Sequence, residues 1–217
     1  MYIDPSGLVI TLTGNDDEKQ TLLSSLQVLT PHKLFMNDDS TVSIEGLLDT
    51  SSNEPRSSKG DLHRYDEKGN GTKLIERLIR SEKNCIIQIG NEGNYASADS
   101  WNNASNGTGS DMIVTFNPNS DPNIMTVQSK TGNVTPAKRP AFIGLAHELI
   151  HADRGMRGGI IDLNTTGDYK YQTSRTAWQW FIFSGFNYTY ITQNVLREEL
   201  TTVGLKYNQI VMILRKT

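Results

Sequence analysis

Apolar positions along the chain fall into two spacings, one typical of strands and one typical of helices. Short apolar or alternating runs predict strands at residues 8–12, 41–48, 85–89 and 112–116. Leucines recur at helical spacing from Asp16 to Leu29, and apolar residues do so from Leu74 to a helix end near Asn84. Residues 49–71 and 90–110 are rich in Gly, Ser and Asn and predict long loops. The mixture predicts an α+β fold with a small mixed sheet.

A later apolar segment, Ala141–Ala152, contains the sequence His147-Glu148-Leu149-Ile150-His151. In a helix, residues four apart lie on one face, so both imidazoles point the same way and are able to bind one metal ion. Imidazole pairs suit zinc, and Glu148 stands beside them to hold the attacking water as general base. Burying these groups without a partner is costly, and a metal offsets that cost. The pattern predicts a zinc metallopeptidase.

A third metal ligand is expected from the segment Asn194–Gly204. Its apolar residues recur at helical spacing, and Gly204 supplies a helix stop. The adjacent carboxylates Glu198 and Glu199 point about 100° apart on such a helix, so one faces the zinc and the other supports a ligand histidine or an arginine from behind. The alternative is a solvated Arg-Glu-Glu face on a surface helix.

Other candidates for the third ligand are weaker. The metzincin pattern requires a Gly and a His at the positions that Arg154 and Arg157 occupy here, so that class is excluded. Both arginines are expected to complement the helix C-terminus rather than bind acidic substrate positions. Asp153 is too close in sequence to reach around the metal, whereas Asp162 and Asp168 remain options. His32 and His63 lie in polar surroundings and are expected at the surface.

The two blocks together resemble a known family. The segment Ala146–Ala152, with a Glu-Glu-Leu-x-Thr-x-Gly block downstream, is similar to the NleD-like bacterial effector metalloproteases. It also resembles, more distantly, the light chains of clostridial neurotoxins, which have both blocks in the same order. The resemblance implies a zincin-like fold with a helical C-terminal part, one Zn²⁺ per chain, Glu199 as third ligand and Glu198 as a supporting residue.

The resemblance leaves the oxyanion-stabilising group open. The neurotoxin light chains use an Arg and a Tyr well after the third ligand, whereas this sequence stops at Thr217. Tyr207 and Arg215 are the candidates for that catalytic role, with Tyr169 and Tyr171 as alternatives. Zincins also place a substrate-binding edge strand before the motif helix, and the strand at residues 113–116 is expected to serve as that edge.

The amino end carries a second resemblance. Tyr2–Leu8 is similar to the D-P-x-G-L junction that closes the core of Rhs and YD-repeat proteins, although Asp-Pro-Ser-Gly is also ordinary turn chemistry. The junction implies that residues 1–7 are a remnant of the Rhs core and that residues 8–217 form a single zincin-like toxin domain. Such a toxin acts on protein substrates in the cytosol of a target cell. A cognate immunity protein in the producing cell is a candidate partner.

Bulk properties agree with one domain of 217 residues. The net charge of −3 gives no reason to expect nucleic-acid binding. No apolar run is long enough for membrane insertion, and no signal peptide is visible. The lone Cys85 excludes an internal disulfide, suits a reducing cytosol and is expected in a strand core.

The predicted function is a secreted effector protease that uses zinc. One alternative is a non-catalytic, zinc-stabilised binding domain carried by an Rhs protein, and another is a zinc hydrolase with a non-protein substrate. Glu148 argues against the binding domain, because a structural zinc site needs no carboxylate beside its first histidine. Structural sites also use four protein ligands, often Cys, and this chain has one Cys.

Overall fold

The computed structural model describes residues 10–45, 69–120, 122–127, 134–161, 164–180, 183–202 and 210–211. The chain divides into two compact units. Met1–Ser120 and Pro140–Ile160 belong to the first unit, and Asp121–Arg139 and Ile161–Thr217 belong to the second. Each unit has its own sheet structure, described separately below. The predicted Rhs junction at Tyr2–Leu8 and most of the predicted loop at residues 49–71 lie outside the described residues.

The first unit contains a six-stranded sheet. Three strands are parallel to one another, namely β1 (Ile10–Leu12), β4 (Cys85–Ile89) and β6 (Met112–Phe116). The other three pair antiparallel, namely β2 (Leu34–Met36), β3 (Thr41–Ile44) and β5 (Tyr95–Ala98). The spatial order is β2-β3-β1-β4-β6-β5. Parallel neighbours need long crossover connections, and helices of this unit lie in those connections.

The described helices of the first unit are α1 (Asp16–Gln27), α2 (Asn70–Ile79), α3 (Trp101–Ser105) and α4 (Ala141–Met156). Helix α1 begins with a capping box, in which Asn15 and Glu18 each accept a hydrogen bond from the other's backbone N–H. The leucines that face the sheet from α1 are Leu22 and Leu26, both fully buried. Helix α1 therefore covers the sheet with the apolar face that the leucine spacing predicts.

The core of the first unit centres on β4 and β6. Ile87, Met112, Val114 and Phe116 are fully buried there. Cys85 is also fully buried, and this burial raises the pKa of its thiol from the ordinary 9.0 to about 12. The thiol therefore stays protonated near neutral pH. The burial of Cys85 in β4 confirms the prediction that it is part of a strand core.

Several sequence predictions for the first unit are confirmed, including α1, β4 and β6. Others differ at the ends, where boundaries are least determined. Strand β3 covers Thr41–Ile44 of the predicted residues 41–48, and the described residues stop at 45. Helix α2 ends at Ile79, short of the predicted Asn84, because Arg80 already takes a non-helical cap conformation.

The predicted loop at residues 90–110 is wrong, since it contains β5 and α3. Ser100 caps α3 by accepting a hydrogen bond from the backbone N–H of Asn103, so the Ser- and Asn-rich composition reflects capping rather than a lack of structure.

The predicted edge strand at residues 113–116 is also wrong. Strand β6 lies between β4 and β5, so the outer position of the sheet on this side belongs to Tyr95–Ala98.

The second unit is mainly β structure in its described part. Strands β7 (Asn123–Val127) and β8 (Val134–Lys138) pair antiparallel. A long antiparallel pair follows, β9 (Thr166–Trp180) with β10 (Phe183–Leu196), and β11 (Ile210–Val211) joins β9 in parallel. The only helix among the described residues of this unit is α5 (Arg197–Thr202).

The expected helical C-terminal part is therefore mostly wrong. Helix α5 is shorter than the predicted Asn194–Gly204 helix, because residues 194–196 continue β10 and pair with residues 166–168. Residues 166–196 are rich in Thr, Tyr, Trp and Phe, which favour strands, and this preference extends up to the start of the helix.

A membrane-crossing helix needs about 20 predominantly apolar residues. Among the helices that the structure describes, none has both the length and the apolar character to cross a membrane.

Candidate metal centre

Helix α4 separates its residues into a core face and a histidine face. Leu145, Leu149 and Ala152 are fully buried and pack into the core of the first unit. His147 and His151 lie about 200° around the helix from Leu145 and Leu149, since each residue advances the helix by 100°. The packing of the leucines therefore fixes the direction in which both imidazoles point.

The two imidazoles face each other closely. Their Nε2 atoms are 3.1 Å apart, and the rings stand at 79° with centroids 4.8 Å apart. His151 is 9 % exposed, whereas His147 is half-buried. Two nitrogens bound tetrahedrally to one zinc lie about 3.3 Å apart, so the donor pair fits a zinc ion.

The C-terminal end of α4 is closed by a Schellman motif. The backbone N–H of Gly159 donates to the carbonyl of Arg154, and that of Gly158 donates to the carbonyl of Gly155. Gly158 has φ +72°, the left-handed conformation that this motif requires. Its carbonyl also accepts the N–H of Gly107, so the loop after α3 is bonded to the end of the histidine helix.

A buried carboxylate links α4 to α2. Asp153 has a side chain 5 % exposed, and its oxygens accept hydrogen bonds from Arg77 of α2 at 3.0–3.2 Å. Arg157 donates to the same carboxylate, with its Nη2 2.7 Å from Oδ2. Sequence reasoning missed this link, because Arg77 is 76 residues away from Asp153. The i, i+4 spacing of Asp153 and Arg157 was the available signal.

Both arginines after the motif make local hydrogen bonds at the end of the helix, as expected, and the Arg157 side chain stays 60 % exposed. Arg154 Nη2 donates to the carbonyl of Gly159 at 2.6 Å, and Arg157 Nε donates to the carbonyl of Asp153 at 3.1 Å. Both interactions complement the C-terminal end of the helix. Asp153 is engaged by the guanidiniums, in agreement with its rejection as a metal ligand.

The second unit holds the paired glutamates on α5. Glu198 is 2 % exposed, and its Oε2 accepts the backbone N–H of Ile161 at 2.7 Å. Thr202 Oγ1 lies 3.4 Å from Glu198 Oε1, so this carboxylate holds both a neighbouring segment and its own helix. Glu199 is half-buried, and α5 starts where the N–H of Arg197 donates to the carbonyl of Thr165.

The remaining candidates divide into described and undescribed residues. Tyr207, Arg215, Asp162 and His63 lie outside the described residues. Tyr169, Tyr171 and Asp168 lie on β9, where they pair in register with Gln193, Ile191 and Asn194. The surface prediction for His32 is wrong, since its side chain is 14 % exposed and its Nε2 lies 3.3 Å from Glu76 Oε1.

A helix with two facing imidazoles and a carboxylate between them in sequence is the arrangement expected of a metallopeptidase. A sequence profile of the family Peptidase M91, described as "Effector protein", matches residues 19–210. The chain belongs to this family of peptidase effectors. The sequence resemblance to effector metallopeptidases is thereby confirmed at the level of the family.

Other comparisons are more distant. No curated protein matches the chain. Among solved structures, the light chain protease of botulinum neurotoxin serotype C1 is similar with a TM-score of 0.35 and 18 % sequence identity. The similarity covers 54 % of this chain and 27 % of the light chain, so this chain spans about a quarter of that protein.

Proposed function

We propose that this protein is a zinc-dependent endopeptidase that acts as an effector on proteins in the cytosol of a target cell. The observation that carries the proposal is the pair of facing imidazole nitrogens on α4, 3.1 Å apart, with Glu148 next to the first of them in sequence. Membership of a family of peptidase effectors supports the same assignment.

His147, His151 and Glu199 are proposed to hold one Zn²⁺. The two imidazoles on α4 supply two of the donor atoms, and Glu199 is the third ligand that the sequence resemblance implies. Glu198 already accepts hydrogen bonds from Ile161 and Thr202, which supports giving the ligand role to Glu199. Support of a ligand histidine by Glu198 stays a prediction. Zinc bound in such a set polarises a peptide carbonyl and makes an attacking water more acidic.

Glu148 is proposed to be the general base. It is half-buried on α4, about 100° around the helix from His147 and 60° from His151, so it stands beside the imidazoles without replacing either. Its carboxylate accepts the proton of the attacking water and passes it to the nitrogen of the leaving amine. Stabilisation of the oxyanion by Tyr207 or Arg215 stays a proposal.

Strand β5 is proposed to bind the substrate backbone. A peptide in extended form adds to the outer strand of a sheet through main-chain hydrogen bonds. Tyr95–Ala98 takes this role in place of residues 113–116, because β6 is paired on both sides. Tyr95 is 52 % exposed, so an aromatic surface adjoins the start of this strand.

Delivery by an Rhs carrier remains a proposal that rests on the sequence at Tyr2–Leu8. On this account residues 1–7 derive from the carrier, residues 8–217 act as the toxin, and a cognate immunity protein protects the producer. The alternative function, a zinc-stabilised binding domain, predicts a metal-dependent fold without proteolysis.

A chelation experiment tests the proposed function. Treating the protein with a zinc chelator is expected to abolish the appearance of new N-termini in a cell lysate, and adding back zinc in slight excess is expected to restore it. N-terminal peptide mass spectrometry gives the readout, and circular dichroism monitors the fold. Proteolysis that persists in the metal-free protein would contradict the proposal, and a folded zinc protein without proteolysis would favour the binding-domain alternative.

A further inference from the structure

The first unit contains a cleft of about 460 Å³ between the end of α2 and the end of α4. We infer that this cleft binds an acidic segment of the protein substrate, which deepens the proposed function and rests on it. Four of its lining residues are cationic, namely Arg77, Arg80, Lys83 and Arg157, and together they define what we call the basic cleft. A volume of this size is in the usual range for binding pockets.

The acidic residues of the basic cleft do not cancel its charge at the surface. Asp153 is buried with a side chain 5 % exposed, whereas the guanidiniums of Arg77 and Arg157 that bind it are 48 % and 60 % exposed. Glu76 lies 3.3 Å from the imidazole of His32. Glu82 is the remaining acidic residue of the lining and is exposed, so it offsets one of the four positive charges. The solvent-facing charge is therefore mainly positive, in a chain whose net charge is −3.

The two guanidiniums are held in place before any ligand arrives. Each uses Nε and Nη2 to bind the Asp153 carboxylate. The Nη1 group of each makes no hydrogen bond to the residues that the structure describes, so within that part of the chain its N–H donors are available to an anion. Guanidiniums fixed by a buried carboxylate lose little side-chain entropy on binding, and they match carboxylate and phosphate groups well.

Arg80 and Lys83 add positive charge that no described residue neutralises. Neither side chain has an ion pair or hydrogen bond within the described part of the chain. Arg80 is exposed at the cap of α2, and Lys83 follows it by three residues. Cationic groups on two helices that face one opening favour an extended acidic ligand over a single ion.

The basic cleft lies on a different face of α4 from the metal-binding imidazoles. Asp153 is two residues after His151, which places it about 200° around the helix. An acidic segment bound here therefore contacts the enzyme outside the catalytic residues. Such contact selects and orients a substrate without taking part in the chemistry, so it is expected to affect KM more than kcat.

The test measures binding of a fluorescein-labelled octaglutamate peptide by anisotropy at about 50 mM salt. The protein carries Glu148→Gln, so that no cleavage interferes. The double variant Arg80→Glu plus Lys83→Glu is expected to bind about tenfold more weakly, since each reversal removes an attraction and adds a repulsion. The matched control, Lys19→Glu plus Lys33→Glu, changes the net charge equally outside the cleft and is expected to bind as the parent does.

Several outcomes would overturn the inference. These are no binding by the parent protein, equal weakening in the cleft and control variants, or binding of a single-stranded oligonucleotide with the same cleft dependence while octaglutamate fails to bind. If the reversals lower the melting temperature, the neutral pair Arg80→Gln plus Lys83→Gln replaces them. A phosphoserine peptide that binds more tightly than octaglutamate, with the same cleft dependence, would support the cleft and assign its anion as phosphate.

Binding is read without proteolysis, so the inference and the proposed function fail separately. Loss of octaglutamate binding together with chelator-sensitive proteolysis would contradict the inference about the cleft and support the proposed peptidase function. Intact octaglutamate binding together with chelator-resistant proteolysis would contradict the zinc assignment and support the inference about the cleft.

Discussion

Replacing Glu148 by glutamine is expected to lower peptide-bond cleavage by roughly 10²–10⁴-fold, because the side chain keeps its shape but no longer accepts the proton of the attacking water. The zinc content is expected to stay at the wild-type level, since Glu148 is not a ligand in the proposed set. New N-termini in a cell lysate measure the cleavage, and elemental analysis measures the zinc.

The matched control for this substitution is Glu92→Gln, the same chemical change at an exposed loop residue of the first unit. It is expected to retain wild-type cleavage. Full activity in Glu148→Gln would remove the general-base assignment. Loss of zinc together with activity would instead assign Glu148 as a metal ligand and not as the general base.

The substitution Gly158→Ala is expected to destabilise the first unit by about 3 kcal/mol. The residue has φ +72°, which costs a non-glycine residue about 1 kcal/mol. A Cβ at this position would also lie 2.5 Å from backbone atoms of Gly107, and this backbone has to shift to make room. The melting temperature is expected to fall by roughly 6–12 °C.

Gly159→Ala provides the matched control one residue later. A Cβ there would meet the carbonyl of Arg154 at 3.5 Å, an ordinary contact, so a change below about 1 kcal/mol is expected. Equal melting temperatures for the two variants would contradict the account of how the histidine helix is terminated. A loss of stability in Gly158→Ala alone would support it.

The histidine helix was the part of the structure most readable from the sequence. The spacing of His147 and His151 predicts a shared face, and the apolar residues around them predict a helix packed on a core. Both features are readable from the pattern of residues within one short segment, and the structure places the Nε2 atoms 3.1 Å apart. The buried strands β4 and β6 were also readable, because they are continuous apolar runs of strand length.

The features that sequence reasoning missed depend on pairing between distant residues. Strand β5 has small and polar residues and owes its conformation to pairing with β6, which local composition does not reveal. The Arg77–Asp153 contact joins residues 76 positions apart. The length of β9 and β10 could not be predicted for the same reason. It depends on which residues of the two strands pair with each other, and one strand's sequence does not determine this pairing.

The most direct test of the account is the zinc content of the purified wild-type protein and of Glu199→Ala, measured by elemental analysis under reducing conditions with Glu92→Ala as control. About one zinc per chain is expected in the wild type and in the control, and a sharply lower content is expected in Glu199→Ala. Absence of bound zinc in the wild type, even after zinc is supplied, would contradict the proposed metal centre.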